Sequence, residues 1–173
     1  MDESSTTGAP AAGILRRLGA LLYDLLLLLA LLFVATLPWL PLTGGEAVTS
    51  QASGWVAQAY RAWLLLVAFG YFGLSWTRGG QTLGMRAWRI GLERAGGGAP
   101  GWLDALVRFA LGTAMALLAG IGLWFLRGPG WSLPDLAAAL LLLPPFANLL
   151  WAAVDARGRS LQDIASFTRV VRR

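Results

Sequence analysis

Four long apolar segments, separated by shorter polar ones, run along the chain. Each has about the 20 residues that an α-helix needs to cross the hydrocarbon core of a bilayer. The pattern therefore predicts an all-α polytopic membrane protein with four transmembrane helices. The predicted spans are residues 18–39, 56–76, 102–126 and 135–154.

The polar segments set the predicted domain organisation. Residues 1–13 are small and polar without periodicity, which is typical of a disordered cytoplasmic lead. A Gly-rich loop covers residues 77–101, and a polar tail covers residues 155–173. We therefore expect a single membrane domain over residues 14–173.

The arginines predict the orientation of the spans. Eleven lie at the start of the first span, in the 77–101 loop and in the tail, whereas Arg61 and Arg127 lie at the opposite ends of the spans. Cytoplasmic loops of membrane proteins carry an excess of Lys and Arg. Both termini are therefore predicted to be cytoplasmic, and the protein to be a multi-pass protein of the bacterial inner (cytoplasmic) membrane.

The loop and the tail also contain short regular patterns. Residues 88–92 alternate apolar and polar, which favours a short strand, and residues 168–173 are extended in character. Ser160 and Asp163 have the spacing of a capping box that opens a short helix. We expect these pieces to form a small cytoplasmic flap, with the two extended segments paired.

Composition excludes several classes of function. The chain is 57% hydrophobic with a mean hydropathy of +0.61, which excludes an ordinary soluble domain. It has no Cys and no His, so disulfides and the commonest metal ligands are missing. We expect no metal site, no cofactor and no enzymatic activity, since no nucleophile–base pair is recognisable. The pI near 11 follows from arginines in the loops, so membrane lipids are the expected partner and nucleic acid is not.

Each predicted span offers one polar side chain to a single layer near the cytoplasmic surface. Counted from the predicted span ends, Asp24, Arg108, Asn148 and Tyr71 lie about five or six residues deep. Buried charges need a partner, so we hypothesise an ion pair between Asp24 and Arg108 with the other two completing its hydrogen bonds. The pair either fixes the helix register or serves a substrate or proton. Asp104, four residues before Arg108, is an alternative partner for that arginine.

Two further features mark the third and fourth spans. Gly112, Ala116 and Gly120 form a stripe of small residues that indicates close helix packing. Pro144 and Pro145 interrupt the fourth span. Broken helices line binding sites in transporters, but no inverted repeat is detectable in the sequence to support that function.

Together these pieces resemble the RDD family of bacterial membrane proteins, which is named for one arginine and two aspartates. The resemblance runs from about residue 15 to residue 171. It departs from the family pattern at Met85, where Lys or Arg is frequent, and at Gln162, where His often precedes the last aspartate. The residues that match the family signature are Arg17, Asp24, Gly80, Gln81, Thr82, Gly84, Asp155 and Asp163.

The resemblance implies two functions. Relatives are often encoded beside genes for envelope lipid export, which implies a non-catalytic accessory subunit of a larger envelope complex, such as a lipid or lipopolysaccharide export machine. The family is also regarded as transporting unidentified ligands, and some members as cation/proton exchangers. The alternative is therefore a small oligomeric transporter with Asp24 as the ion or proton site. We expect a membrane-protein partner or a homo-oligomer in either case.

Overall fold

The computed structural model describes residues 10–44, 48, 54–126 and 139–173. Most of the predicted lead, the turn at 127–134 with Arg127, and the start of the fourth predicted span at 135–138 lie outside the described residues. The elements in chain order are α1 (Ile14–Thr36), a 3-10 helix (Leu37–Thr43), α2 (Trp55–Gly79), α3 (Leu83–Ala87), β1 (Ile90–Arg94), α4 (Trp102–Phe125), α5 (Leu143–Val154), α6 (Leu161–Ala165) and β2 (Thr168–Arg172).

The described part of the chain is mainly helical, with two candidate membrane-spanning helices. Ile14–Thr43, which joins α1 to the 3-10 helix, has a mean hydropathy of 2.5, and Trp102–Phe125 has 1.8. The helix α5 is apolar but shorter, and Pro144 lies in its first turn, where the missing N–H breaks no helical hydrogen bond. The count of four spans stays a prediction.

Large apolar side chains point outwards from the long helices. On α1 the buried residues are Ala20, Asp24 and Ala35, whereas leucines and Phe33 are exposed. The main cluster of buried apolar residues instead lies where the short elements meet the ends of the long helices, and includes Met85, Leu92, Ala105 and Val170. This distribution fits a chain surrounded by lipid, since lipid tails do not drive large side chains inwards.

A unit made of a short helix followed by a strand occurs twice, first as α3 and β1 and then as α6 and β2. Each residue of the first copy corresponds to the residue 78 positions later in the second. Thr82 and Ser160 both cap a five-residue helix through a side-chain oxygen that accepts an N–H three residues on. Arg89 and Phe167 follow these helices with φ of 52° and 51°. Positive φ is uncommon outside glycine, so its presence at matched positions is a specific sign of a repeat.

The two strands of the repeat pair antiparallel about a local two-fold axis. Leu92 lies opposite its own counterpart Val170, and Ile90 and Arg94 lie opposite Arg172 and Thr168. Hydrogen bonds beyond the strands keep the same symmetry, from Arg173 N to Arg89 O and from Ala95 N to Phe167 O. The capping box at Ser160 and Asp163 is confirmed. The cytoplasmic position of this unit stays a prediction.

The long helices α1 and α4 extend the repeat. Both begin after an extended glycine, Gly13 or Gly101. The Ala20 carbonyl oxygen on α1 lies against Gly84 of α3, and the Arg108 carbonyl oxygen on α4 accepts a hydrogen bond from the Gln162 side chain of α6. Counted from the helix starts, Ala20 and Arg108 are equivalent. The described elements therefore form two similar halves that meet at the sheet.

We expect Gly84→Ala to destabilise the protein by about 1–3 kcal/mol or more, which is the usual cost of overpacking. A Cβ at Gly84 would overlap the Ala20 carbonyl oxygen and lie 2.7 Å from Asp24 Cγ. Thermal unfolding of the detergent-solubilised chain measures the effect. Gly70→Ala is the matched control, because a Cβ at Gly70 meets no atom within 4 Å. Equal melting temperatures for the two variants would contradict the packing described here.

Candidate functional site

A buried carboxylate joins the two halves of the molecule. Asp163 on α6 accepts Arg17 Nη1 from α1 at Oδ2 and Arg108 Nη1 from α4 at Oδ1, both at 2.6 Å. The Asp163 side chain is fully buried, and its Oδ2 also accepts the backbone N–H of Ser160. We call Arg17, Arg108 and Asp163 the shared-aspartate cluster.

The remaining hydrogen bonds of the cluster fasten the tail to the long helices. Arg17 also donates to the carbonyl oxygens of Ala12 and Gly158. Arg108 Nη1 donates to Thr168 Oγ1 at 2.9 Å, and its guanidinium carbon lies 5.7 Å from the centre of the Trp76 ring. Such a stack adds a cation–π attraction. The sequence pattern does not predict Thr168 and Trp76 as partners of Arg108, since no spacing in the sequence links them to it.

At Asp163, neighbouring positive charges and hydrogen bonds together outweigh the effect of burial on the pKa. Burial acts to raise the pKa of Asp163, but the nearby Arg108 and Arg17 guanidiniums and the Ser160 N–H hold it below its ordinary value of 3.8. The folded cluster therefore favours the ionised carboxylate.

Asp24 forms a second, separate cluster. Its Oδ1 accepts Tyr71 OH at 2.7 Å and Gly84 N–H at 2.8 Å, and its Oδ2 accepts Thr82 Oγ1. Thr82 Oγ1 in turn accepts the N–H of Met85. Asp24 is buried, and its three donors come from α2, from α3 and from the residue that caps α3. This carboxylate therefore holds three elements together without a charged partner.

The hypothesis of an Asp24–Arg108 ion pair is wrong. Arg108 pairs with Asp163 instead, and Asp24 makes no ion pair with the residues that the structure describes. The reason is depth: α1 begins at Ile14 and not near residue 18, so Asp24 lies ten residues into its helix and Arg108 six into α4. Four residues correspond to about 6 Å along a helix.

The alternative partner for Arg108 is also wrong. Asp104 pairs with Arg94 at 2.7 Å and accepts the N–H of Gly101, so it caps the start of α4. Of the other predicted layer residues, Tyr71 binds Asp24, while Asn148 Oδ1 accepts the N–H of Gln162 and not a group of an ion pair.

In the stripe of small residues, Gly112 packs against Gln162 of α6, whereas Ala116 and Gly120 are exposed. A Cβ at Gly112 would lie 2.9 Å from Gln162 Nε2, whereas one at Gly120 meets nothing within 4 Å. Ala116, between them, is exposed and faces a cavity. Contact of this stripe with another chain stays a prediction.

The remaining signature residues shape turns. Gly80 has φ of 63°, and its carbonyl accepts Leu92 N–H, while the Gln81 side chain donates to the Ile90 carbonyl. Asp155 binds the Arg159 guanidinium and the backbone N–H groups that follow it. These hydrogen bonds, first to the Arg159 side chain, lower the pKa of Asp155 to about 2.

A cavity of about 470 Å³ lies between the two halves. Both clusters reach it, since Asp24, Arg17 and Arg108 line its polar end. Its apolar lining comes mainly from α1, α4 and α5, with contributions from α2, α3 and the strands. Among the residues that the structure describes, no three acidic side chains lie close enough together to hold a metal ion.

Comparison with known proteins finds one family. The model of the RDD family matches residues 11–166, which is most of the chain. No curated protein and no solved structure matches the chain.

We expect Asp163→Asn to destabilise the folded chain by about 3–5 kcal/mol, because it leaves two buried guanidiniums without their anion. Unfolding of the solubilised protein, followed by size-exclusion chromatography after heating, measures this loss. Glu93→Gln is the control: its ion pairs with Arg169 and Arg173 are long and partly exposed, so the change is about 1 kcal/mol or less. Similar losses in both variants would contradict a central role for the cluster.

The stabilisation by Asp163 also depends on pH. Because its pKa in the folded protein is lower than in the unfolded chain, the stabilisation is complete above the ordinary carboxyl value of 3.8 and is lost as pH falls through the folded pKa. The difference in melting temperature between wild type and Asp163→Asn should therefore be constant from about pH 7 to pH 5 and shrink below about pH 3. A difference that grows on acidification would contradict the ionised cluster.

Proposed function

Because this chain belongs to the RDD family, a family of membrane proteins, we propose that it is a non-catalytic accessory subunit of a larger membrane complex. The observation that carries the proposal is the use of the signature charges. Arg17 and Asp163 bind each other, and Asp24 accepts three neutral donors. Side chains engaged in this way hold the ends of the helices together. The signature residues of the family would then maintain the fold and take no part in a reaction.

The proposal includes a membrane topology. We propose four spans, with both termini and the paired strands on the cytoplasmic side of a bacterial inner membrane. The arginines of the loop and the tail support this orientation. Exposed leucines along α1, α4 and α5 support contact with lipid or with another membrane protein.

A second function, a small transporter or cation/proton exchanger, is favoured by one observation. The Asp24 carboxylate lines the cavity between the two halves. In transporters built from repeats, binding sites lie at the interface between repeats. Against exchange, the oxygens of Asp24 already accept hydrogen bonds from Tyr71, Thr82 and Gly84.

Liposomes that contain the purified chain separate the two functions. Under a sodium or potassium gradient, with a pH-sensitive dye inside, an accessory subunit gives no proton flux above that of empty liposomes. In native membranes, we expect the chain to migrate on a native gel in a complex larger than its own oligomer. Asp24→Asn should lower the amount of that complex, because it weakens the hydrogen bonds to α2 and α3.

Two results would overturn the accessory role. The first is wild-type proton flux that Asp24→Asn abolishes and that the surface control Glu93→Gln retains. The second is a native mass equal to that of the monomer or the homo-oligomer, with no other protein present in stoichiometric amount.

A further inference from the structure

The cavity between the two halves has one polar end and a long apolar wall. Its volume of about 470 Å³ lies within the range of about 300–1,000 Å³ that is typical of small-molecule sites. Arg108 and Asn148 line the polar end, and Leu28, Met115 and Ala119 are among the residues of the wall. A ligand that fills the cavity must therefore be amphipathic.

Arg108 offers unused hydrogen-bond donors at this cavity. Its Nη1 makes both of its hydrogen bonds, to Asp163 and to Thr168. Its Nε and Nη2 have no hydrogen-bond partner among the described residues, and both atoms are accessible to a ligand. Arg108 is only 7% exposed, so a guanidinium with two free N–H-bearing nitrogens is held in place before any ligand arrives.

Asn148 adds a neighbouring donor. Its Oδ1 accepts the N–H of Gln162, whose side-chain Nε2 donates to the Arg108 carbonyl oxygen. Its amide Nδ2 has no partner within the described chain. Gln162 therefore links the two donors, which face one cavity from α4 and α5.

The shared-aspartate cluster by itself carries a net positive charge beside the free donors of Arg108. Arg17 and Arg108 carry two positive charges and Asp163 carries one negative charge, so the net charge of the shared-aspartate cluster is +1. Asp24 lines the same cavity from α1 and brings the sum of these four charges to zero, so the preference for an anion rests on the free donors of Arg108 and Asn148 and not on net charge.

The wall has the length of an acyl chain in one leaflet. From Arg108 to Ala119 the helix α4 advances eleven residues, or about 16 Å. Half of a hydrocarbon core that is about 30 Å thick has the same depth. A small polar anion would leave this apolar wall uncovered.

We propose that the cavity binds a lipid-like amphiphile with an anionic phosphate or carboxylate head. The head oxygens accept hydrogen bonds from Arg108 Nε and Nη2 and from Asn148 Nδ2, and the apolar chain lies along α4 between α1 and α5. Planar, two-edged guanidinium donors suit such oxygens. This site does not depend on the accessory role, since a ligand of this kind would fit a structural, regulatory or transported lipid alike.

Native mass spectrometry of the purified full chain tests the proposal, since it counts bound lipids. The probe is palmitoyl lysophosphatidic acid; monopalmitoylglycerol has the same chain without the phosphate, and inorganic phosphate is a head without the chain. We expect saturable binding of one lysophosphatidic acid, at least about tenfold tighter than binding of the neutral lipid, because hydrogen bonds to charged acceptors are the stronger kind.

Substitutions test the two ends of the site separately. Asn148→Asp keeps the oxygen that accepts the Gln162 N–H but replaces the donor by a negative oxygen, so binding should weaken about tenfold or more. Ala116→Leu fills the apolar wall and should weaken binding, whereas Ala114→Leu, on the same helix but outside the cavity, should not.

Four outcomes would overturn the proposal. They are equal affinity for the charged and the neutral lipid, full displacement of the lipid by inorganic phosphate at matched concentration, non-saturable binding, and equal binding by the Ala116→Leu and Ala114→Leu variants. Size-exclusion profiles of each variant show that it is folded. The lipid-binding measurement uses the purified chain alone, so it does not depend on proton flux or on complex formation. Failure of the proposed function can therefore be distinguished from failure of this site.

Discussion

One buried carboxylate shared by two guanidiniums is the constraint on which the rest of the structure depends. Asp163 is fully buried, and each of its oxygens binds an arginine from a different half of the chain. An unpaired ion in such a place is strongly destabilising, so the three side chains must come together or the helices cannot pack. The arginines also bind Gly158, Ala12 and Thr168, which ties the N-terminal segment and the tail to the same point.

The two halves make the same contact with different side chains. In the first half, Gly84 leaves room on α3, and Asp24 reaches across from α1 to fill it. In the second half, Gly112 leaves room on α4, and Gln162 reaches across from α6. In the first half the glycine lies on the short helix and the polar side chain on the long helix, and in the second half these positions are reversed. The backbone arrangement is therefore the same in both halves although the residues differ. This exchange also concentrates the polar groups at one end of the space between the halves.

The polar groups that hold the fold also form the end of the cavity. Asp24, Arg17 and Arg108 all line it, although each is engaged in hydrogen bonds that hold elements together. Such sharing gives a rigid polar end, because moving any one side chain would break contacts in the fold. The apolar wall is less constrained, and differences there would change the ligand without disturbing the clusters.

The sequence by itself determined the membrane class, the family and the local elements. Apolar runs, capping residues and alternation depend on residues that are close in sequence, so the sequence alone predicts the elements that they form. The capping box at Ser160 and the short strands near residues 90 and 170 are examples.

Contacts between residues that are distant in sequence cannot be predicted in this way. The sequence pattern predicts a start of α1 that is four residues too late, and a shift of about 6 Å in depth changes whether Arg108 meets Asp24 or Asp163. The repeat was hidden as well, because the two units share a backbone conformation but few residues, with Leu83, Ala87 and Arg94 alone identical to their counterparts from Thr82 to Arg94. Only the tertiary structure decided these points, since backbone hydrogen bonds and charge pairing depend on position in space and not on the spacing of letters along the chain.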